Sequence, residues 1–494
     1  MPKHPKKTVE TAASARRWAQ KELETLRLGD ERMDKRVKKI LGDFAAQPEA
    51  SIPRASEEWK TTKGAYRFFA NEAVEGSAVV EAHRQATVAR ARGAGVVLAV
   101  QDTTTLNFST HPQTRGLGPV NNNRDKTMGF LLHGTLLLQE NGQALGVLDT
   151  QWIVRDPALF KAGPAGARNR KPVEQKESVK WLHSLEASAR TAAELPGSVV
   201  INIADRESDS YDLFWRHAQL RAGHRRQIPV EAAARVELLV RCQHDRQVSR
   251  EEERLFGHLA KQPVAGSYEF EAPRQPGQKA RSVRLSIRFV KVTVEPPPDQ
   301  LKYQGHTEPL TLWAIEAREE KPSSGQTAVC WRLLSTLPVE DLATAKGQVR
   351  RYSRRWEIEV FHKILKSGCK AEERQLETVE RLQRCLVLDV LVAYRVLALS
   401  KIGRSTEGSW PVSQWLAEHE WKALWCRIHR RPDPPVAAPT TTEAVRWIAQ
   451  LGGFLGRKSD GHPGPMTLWR GLQRLNDFAD AYLFFTMAMN SSKN

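Results

Sequence analysis

Three acidic residues occupy positions where carboxylates could support metal-assisted chemistry. Asp102 follows the apolar run VVLAV, Asp205 follows SVVINIA, and Glu359 lies in a basic helical segment further along. A carboxylate just after a buried strand costs desolvation free energy unless it is paired or binds a metal ion. One such aspartate most often caps the next helix or turn, but two with a third carboxylate favour a shared site. Oxygen ligands of this hard type suit Mg²⁺, with Mn²⁺ as a substitute.

The segment around Glu359, RYSRRWEIEVFHKILKSG, predicts a helix with one functional stripe. Its members are spaced by 3, 4 and 7 residues: Tyr352, Arg355, Glu359 and Lys366. At ~100° per residue they fall within about 60° of one another, whereas Glu357 lies on the order of 140° from Tyr352 and is predicted to point elsewhere. Such a row could hold a phosphate-bearing strand beside a metal-binding acid. Surface ion pairs between neighbouring turns are the other interpretation that the pattern allows.

The charge of the chain predicts a polyanionic partner. Its 494 residues include 75 Lys+Arg and 57 Asp+Glu, a formal net charge of +18, and nucleic acid is the first partner to consider. Near the N-terminus, one helical face repeats a basic residue every three or four positions: Arg32, Lys35, Arg36 and Lys39. That face could follow a phosphate backbone. A merely solvated basic helix is the alternative.

Several protein classes are disfavoured by the sequence. The longest apolar run, 386–399, is interrupted by Asp389 and Arg395, so no membrane span is expected. The segment MPKHPKKTVE shows no secretion signal. The five cysteines lack any CxxC spacing, which argues against a disulfide framework and a zinc site and predicts a cytoplasmic protein. The nearest approach to a P-loop, GGFLGRKS at 452–459, has Arg457 where the motif needs glycine, so no nucleotide cofactor is expected.

The predicted elements suggest how these residues are positioned. Apolar residues at helical spacing predict helices over about 8–69, and apolar runs from Val96 onwards predict three adjacent strands, two of them joined by a hairpin at Asn141-Gly142. A helix and the strand before Asp205 follow. The stretch from about 225 to 336 is strand-rich, and helices return after Thr344. The pattern therefore predicts an α/β fold with helical ends.

The spacing Y-(2)-R-(3)-E-(6)-K in the stripe resembles the signature of the IS-four family of DDE transposases. The segment YSRRWEIEVFHKILKSG is similar to the corresponding segment of Tn-five-type members of that family. Other stretches agree in the same order along the chain: LGDERMDKR, GAYRFF, QDTTTL, HGTLLLQ, KESVKWL, DRESD and LGGF. These motifs run from about Trp18 to about Trp469, which is most of the chain.

The resemblance implies a ribonuclease-H-like catalytic core, that is, a mixed sheet flanked by helices. It places a helical domain that binds DNA ends at 1–75, the core at 76–400 with a β-rich insertion at 225–336, and a helical dimerisation domain at 401–494. A homodimer that binds double-stranded DNA, both transposon ends and target, is the implied assembly. A bacterial cytoplasmic protein, associated with the nucleoid when it binds DNA, is the implied setting.

The resemblance also implies roles for single residues. Asp102, Asp205 and Glu359 would be the catalytic, metal-binding acids. The implied DNA contacts are Tyr352, Arg355, Lys366, Trp331, Arg241, Arg32, Arg36 and His362. Trp331, 21 residues before Tyr352, would stack a flipped base, an interaction worth roughly 1–3 kcal/mol. A tryptophan in a β-strand is otherwise a core residue by default.

The implied activity is cut-and-paste transposition. Converging carboxylates can hold two divalent ions about 3.5–4 Å apart, and phosphodiester chemistry then needs mainly positioning and charge. In the resembling family, cleavage proceeds through a hairpin before the freed end is transferred to target DNA. Two alternatives stay open: a metal-dependent DNA nuclease without joining activity, and a transposase-derived DNA-binding regulator. An inactive regulator is expected to have lost one of the acids, and all three are present.

Overall fold

The computed structural model describes residues 13–121, 127–157, 171–223, 228–248, 253–272, 281–297, 308–322, 327–402, 412–414, 416–457 and 462–491. Three features of the sequence lie wholly or partly outside these residues: the segment MPKHPKKTVE, the start of the predicted N-terminal helices, and the last two residues of GGFLGRKS. Among the described residues, no helix is both long enough and apolar enough to cross a membrane.

From residue 13 onwards, where the description of the structure begins, five helices precede the sheet: α1 (Ala13–Glu22), α2 (Glu31–Ala46), α3 (Ile52–Ser56), α4 (Trp59–Ala70) and α5 (Gly76–Ala91). Helix α2 begins where the Asp30 side chain accepts the N–H of Arg32, which satisfies one unpaired donor of the first turn. Its buried face includes Leu41 and Phe44, which share an apolar cluster with Phe68 of α4. The N-terminal helices predicted from the periodicity are confirmed from residue 13 onwards.

Within the described parts of the chain, ten strands form one sheet: β1 (Val96–Asn107), β2 (Gly118–Pro119), β3 (Met128–Gln139), β4 (Ala144–Ile153), β5 (Val199–Ala204), β6 (Val236–Arg241), β7 (Gly266–Ala272), β8 (Arg281–Val294), β9 (Leu310–Arg318) and β10 (Cys330–Ser335). Their order is β2-β3-β1-β5-β6-β10-β9-β8-β7, with β4 paired to β3. Strands β1, β5 and β6 run parallel to one another, and the other pairs are antiparallel. The sheet is therefore mixed.

The strand-rich stretch continues this sheet and does not form a separate one. Strand β6 pairs in parallel with β5 as a core strand, although it lies within the predicted 225–336 insertion. Strand β10 then pairs with β6 and carries β9, β8 and β7 outwards. Two short helices also lie in this stretch, α8 (Val230–Ala233) and α9 (Leu255–Ala260), which the strand-like pattern did not predict.

Helices cover both faces of the sheet. Helices α6 (Val179–Glu194) and α7 (Tyr211–Arg221) share an apolar cluster with one face, and α10 (Leu342–Ser353), α11 (Trp356–Lys363) and α12 (Val379–Ile402) share another cluster with the opposite face. Three further helices, α13 (Glu418–His429), α14 (Thr441–Leu451) and α15 (Pro465–Ser491), build a third cluster. The predicted α/β class is confirmed: a mixed sheet flanked by helices, with helical ends, as expected of a ribonuclease-H-like core.

Candidate active site and DNA-binding surfaces

Strand register places Asp102 and Asp205 level with each other. Strands β1 and β5 pair in parallel, with Val100 opposite Ile203. Two residues later come Asp102, within β1, and Asp205, directly after the end of β5, and neighbouring strands lie about 4.8 Å apart. Val100 and Ile203 both point into the apolar cluster shared with α11, and side chains two residues apart share a face. Both carboxylates therefore lie at the α11 side of the sheet.

The next strand, β6, adds Arg241 beside the two aspartates. Ala204 of β5 pairs with Val240 of β6, which puts Arg241 at the same level as Asp205. The Nη2 atom of Arg241 donates to the carbonyl of Cys330 on β10 at 3.3 Å. Two acids and one arginine thus lie side by side just beyond the parallel pairing of β1, β5 and β6.

Arg355 joins the sheet to α11. Its Nη1 donates to Oδ2 of Asp102 at 3.4 Å, and its Nη2 donates to Oε1 of Glu359 one turn later. One guanidinium therefore holds two of the three predicted acids together. Glu357 points away and pairs with Lys401 of α12, in the direction that the helical wheel predicted.

The predicted stripe faces the sheet, although the helix that carries it is interrupted. The chain turns at Arg354 and Arg355 between α10 and α11, and residues 364–368 form a π-helical turn. Lys366 in that turn donates to the carbonyl of Thr105 on β1 at 2.8 Å and lies 3.4 Å from Glu372. The side chains of the stripe thus contact β1 both at Asp102 and three residues beyond it.

The electrostatics of Asp102 show that the three acids share one region. Burial raises the pKa of Asp102, Arg355 opposes that rise, and the negative charges of Asp205 and Glu359 add to it, so that the pKa reaches about 6. A raised carboxyl pKa beside other carboxylates means that their negative charges repel one another. A cation in this region would relieve that repulsion.

The donor set fits a hard divalent cation in its chemistry. Three carboxylates on three separate elements supply oxygen ligands of the kind that Mg²⁺ and Mn²⁺ prefer. Within the described ranges, however, no three acidic, histidine or cysteine side chains already converge as a metal-binding group. Arg355, which contacts Asp102 and Glu359, would have to share these oxygens with the metal.

Tyr352, near the end of α10, packs against Trp331 of β10, the strand next to the one that carries Arg241. The rings of Tyr352 and Trp331 meet edge-on, with their centroids 5.4 Å apart. The ring of Phe270 also packs against Trp331, with centroids 5.0 Å apart. Burial raises the pKa of Tyr352, against the opposing charges of Arg355 and Arg241. Trp331 is only partly buried.

Two predicted DNA contacts lie beneath the surface. Tyr352 is 3% exposed and His362 is 6% exposed. Burial lowers the pKa of His362 to about 3, which makes the imidazole neutral, and its Nε2 finds no hydrogen-bond partner in the described part of the chain. Direct contact of either side chain with DNA requires neighbouring side chains to move, so both roles stay predictions.

The DRESD block contains two aspartates with different surroundings, a distinction that the sequence did not reveal. Asp205 is partly exposed and accepts the N–H of Glu207 at 2.9 Å. The Asp209 side chain is fully buried, accepts the N–H groups of Gln243 and His244 at 2.7 and 2.9 Å, and pairs with Arg246. Asp209 therefore stabilises the loop after β6. The Asp205 carboxylate, in contrast, stays beside Asp102.

The predicted basic face of α2 is largely ion-paired. Three of its four cations have acidic partners within 3.1 Å: Arg32 with Asp30, Lys35 with Glu31, and Lys39 with Asp43. The fourth, Arg36, approaches the sulfur of Met33 at 3.8 Å. Both predicted DNA contacts of this helix, Arg32 and Arg36, remain exposed.

A second basic surface, which the sequence reasoning missed, lies on α4. Its exposed side chains are Trp59, Lys60, Lys63, Tyr66 and Arg67, here called the α4 face. Trp59 is 76% exposed, and within the described residues none of the three cations forms an ion pair with an acidic side chain. The available signal was the run WKTTKGAYR, in which aromatic and basic residues recur at helical spacing.

Family comparisons match both helical ends of the chain. A family model described as transposase DNA-binding matches residues 15–74, which contain most of α1, all of α2 to α4 and the α4 face. A second, described as the transposase Tn5 dimerisation domain, matches residues 391–488, which contain α13, α14 and most of α15. The chain is a transposase of the Tn5 type. As a transposase, it binds DNA through its N-terminal helices and has a C-terminal region for dimerisation, and transposases of this type cut and join DNA.

Proposed function

We propose that this transposase cleaves the ends of its own DNA element and joins them to target DNA at a DDE site formed by Asp102, Asp205 and Glu359. The observation that carries the proposal is the bridge from Arg355 to both Asp102 and Glu359. It occurs where strand register sets Asp102 beside Asp205. Arg355 thus links two of the carboxylates, and strand register sets the third, Asp205, beside Asp102.

The three acids would hold Mg²⁺, with Mn²⁺ as a substitute, and the bound ions would activate the attacking oxygen and stabilise the leaving oxygen. The chain's own residues position the DNA. Arg355 presents a guanidinium that can bond a phosphate oxygen as well as a carboxylate. Arg241 and Lys366 lie on either side of the acids, held by the carbonyls of Cys330 and Thr105, and supply positive charge along a strand that crosses the site.

Trp331 supports a further part of the proposal, the binding of a base moved out of the helix stack. Trp331 lies beside Tyr352 and, on the strand next to β6, close to Arg241. Stacking on an exposed aromatic face stabilises an unpaired base by roughly 1–3 kcal/mol. Such a base would accompany a hairpin intermediate, in which the strand turns sharply at the cleavage site.

The division of labour along the chain belongs to the same proposal. Residues 1–75 bind the transposon end through the α4 face together with Arg32 and Arg36. Residues 76–400 cleave and join DNA. Residues 401–494 pair two copies, which the exposed Phe484 and Phe485 of α15 support, at 68% and 63% exposure. Adjacent exposed aromatic side chains favour a protein partner, and two ends need two active sites.

The test uses the purified full chain, Mg²⁺ and a duplex that carries the terminal inverted repeat flanking the coding region. We expect a nick at the end of the repeat, a hairpin product on a denaturing gel, and joining of the cleaved end to a supercoiled plasmid. A nuclease without joining activity would give the nick and no joined product. A DNA-binding regulator would shift the duplex on a native gel and cut nothing.

A further inference from the structure

The tip of the β3–β4 hairpin contacts the segment that carries Arg355. Glu140 lies at that tip, and its Oε1 accepts from Nε of Arg351 at 2.7 Å. Its backbone carbonyl accepts from Nε of Arg354 at 3.2 Å. Gly142 has a φ of +91°, and a Cβ at that position would lie 3.1 Å from Nη1 of Arg354. The tip therefore packs closely against two arginines that come just before Arg355.

The hairpin is a direct extension of the strand beside Asp102. Strand β3 pairs with β1, with Gly134 opposite Asp102, so the tip moves with the part of the sheet that holds this acid. The helix it contacts is interrupted at Arg354 and Arg355. An interruption of this kind permits the two halves to bend relative to each other unless other contacts fix the angle.

We propose that Glu140 is a positioning residue for the reaction. It holds the α10–α11 junction against the hairpin, and thereby keeps Arg355 and Glu359 at a fixed distance from Asp102. This role rests on the proposed function, because it concerns the placement of the acids that would cut DNA. It acts through Arg351 and Arg354 and involves no contact between Glu140 and DNA or metal.

The exposure of this ion pair makes the proposal distinguishable from a stability role. The side chains of Arg351 and Glu140 are 20% and 38% exposed, and a partly exposed pair contributes less to stability than a fully buried one. A displacement of about 1 Å at a catalytic group, in contrast, can slow a reaction about 100-fold. Removal of this ion pair should therefore slow cleavage much more than it destabilises the fold.

The test is a charge-swap series in the full chain: Glu140→Arg, Arg351→Glu, and the two together. Single-turnover cleavage of the end duplex with Mg²⁺ gives the rate, and native gels give the dissociation constant. We expect Glu140→Arg to slow cleavage by about 10- to 100-fold, while the dissociation constant and the melting temperature stay close to those of the wild type. The double variant should recover most of the rate, because the ion pair is restored with its charges exchanged.

Matched controls keep the result interpretable. Glu377 and Arg381 form an exposed ion pair at 2.6 Å on the same core, and exchange of their charges should leave the rate unchanged. Should Glu140→Arg prove unstable, Glu140→Gln decides, since it removes the charge without adding repulsion and should still slow cleavage. Wild-type rates in Glu140→Gln or Glu140→Arg, or no recovery in the double variant, would overturn the role of Glu140. A wild-type protein that binds the duplex and never cuts it would overturn the proposed function as well.

Discussion

Arg355 and Asp102 are 253 residues apart in the chain, and Nη1 of Arg355 donates to Oδ2 of Asp102 at 3.4 Å. The same guanidinium bonds Glu359 through Nη2. Carboxylate oxygens that accept from an arginine are the same atoms that ligate a divalent cation. Arg355 and a metal ion bound at the proposed site would therefore compete for these oxygens.

Replacement of Arg355 with glutamine should strengthen metal binding and weaken catalysis. The variant lacks the positive charge that offsets Asp102 and Glu359, so a divalent cation meets less competition and less repulsion. We expect the full chain without DNA to bind Mn²⁺ about three- to tenfold more tightly, as measured by electron paramagnetic resonance of free Mn²⁺. Cleavage of the end duplex should fall, because the variant has no guanidinium to bond a phosphate oxygen. Arg381→Gln, which removes a cation paired with Glu377 away from the site, is the control, and weaker Mn²⁺ binding by Arg355→Gln would contradict the competition.

Replacement of the two aspartates of the DRESD block should have different effects: loss of Asp209 should lower stability, and loss of Asp205 should abolish cleavage. Asp209→Ala removes a fully buried carboxylate that holds Gln243, His244 and Arg246, and removal of one partner of a buried ion pair costs roughly 3–5 kcal/mol. We expect a clear drop in melting temperature. Asp205→Ala should melt near the wild-type temperature and lose cleavage. An Asp205→Ala protein that unfolds more readily than Asp209→Ala would contradict this assignment.

The α4 face should carry more of the DNA affinity than the paired cations of α2. Alanine at Lys60, Lys63 and Arg67 together removes three cations that lack ion pairs within the described residues. The slope of log affinity against log salt should then fall by about 0.9 for each phosphate that the variant no longer neutralises, measured by fluorescence anisotropy on the end duplex. Lys35→Ala removes a cation already paired with Glu31 at 2.7 Å and should change the slope little. Equal effects of the two changes would show that the α4 face is not the main DNA-binding surface.

Acid should weaken the junction between the N-terminal helices and the core through Glu22. This carboxylate is 3% exposed, lies 2.5 Å from Nδ1 of His83 and accepts from Arg90 at 3.0 Å. Burial alone would raise the pKa of Glu22, but His83 and Arg90 outweigh it and lower the pKa from 4.5 to about 2. Because the folded pKa is lowered, the stabilisation is present above about pH 4.5 and is lost as the pH falls towards 2.

Glu22→Gln provides the measurement for that pH dependence. The wild-type melting temperature should exceed that of Glu22→Gln most strongly near neutral pH, and the gap should narrow as the pH falls below 4.5, the ordinary carboxyl pKa of Glu22. A gap that stays constant over this range would show that Glu22 stabilises the fold by packing and not by charge. Glu24 of the same N-terminal region is exposed, and Glu24→Gln serves as the control.

The sequence was informative wherever one local pattern decides the structure. Apolar runs ended by Asp102 and Asp205 gave strands with an acid just past the buried part, and the Asn141-Gly142 pair gave a hairpin whose Gly142 has a φ of +91°. The helical spacing around Glu359 gave the stripe that turns towards the sheet. In each case the residues that fix the geometry are neighbours in the chain.

Long-range pairings and charge partners could not be predicted in the same way. No local pattern shows that Asp102 and Asp205 are level, or that β10 pairs with β6 and extends the core sheet. The interruption at Arg354 and Arg355 contains neither proline nor glycine, and tertiary contacts such as those of Glu140 accompany it. The spacing of basic residues along α2 predicted four cations available to DNA, but three of those four have acidic partners.

The central claim is that Asp102, Asp205 and Glu359 form one metal-dependent site for DNA cleavage and joining. The most direct measurement is single-turnover cleavage of the end duplex with Mg²⁺ by the wild type, Asp102→Asn, Asp205→Asn and Glu359→Gln, with duplex binding measured in parallel. We predict cleavage by the wild type and a decrease of at least about 1,000-fold in each variant, with duplex affinity retained. A wild type that leaves the duplex intact with Mg²⁺ and Mn²⁺, or any one variant that cleaves at the wild-type rate, would contradict the claim.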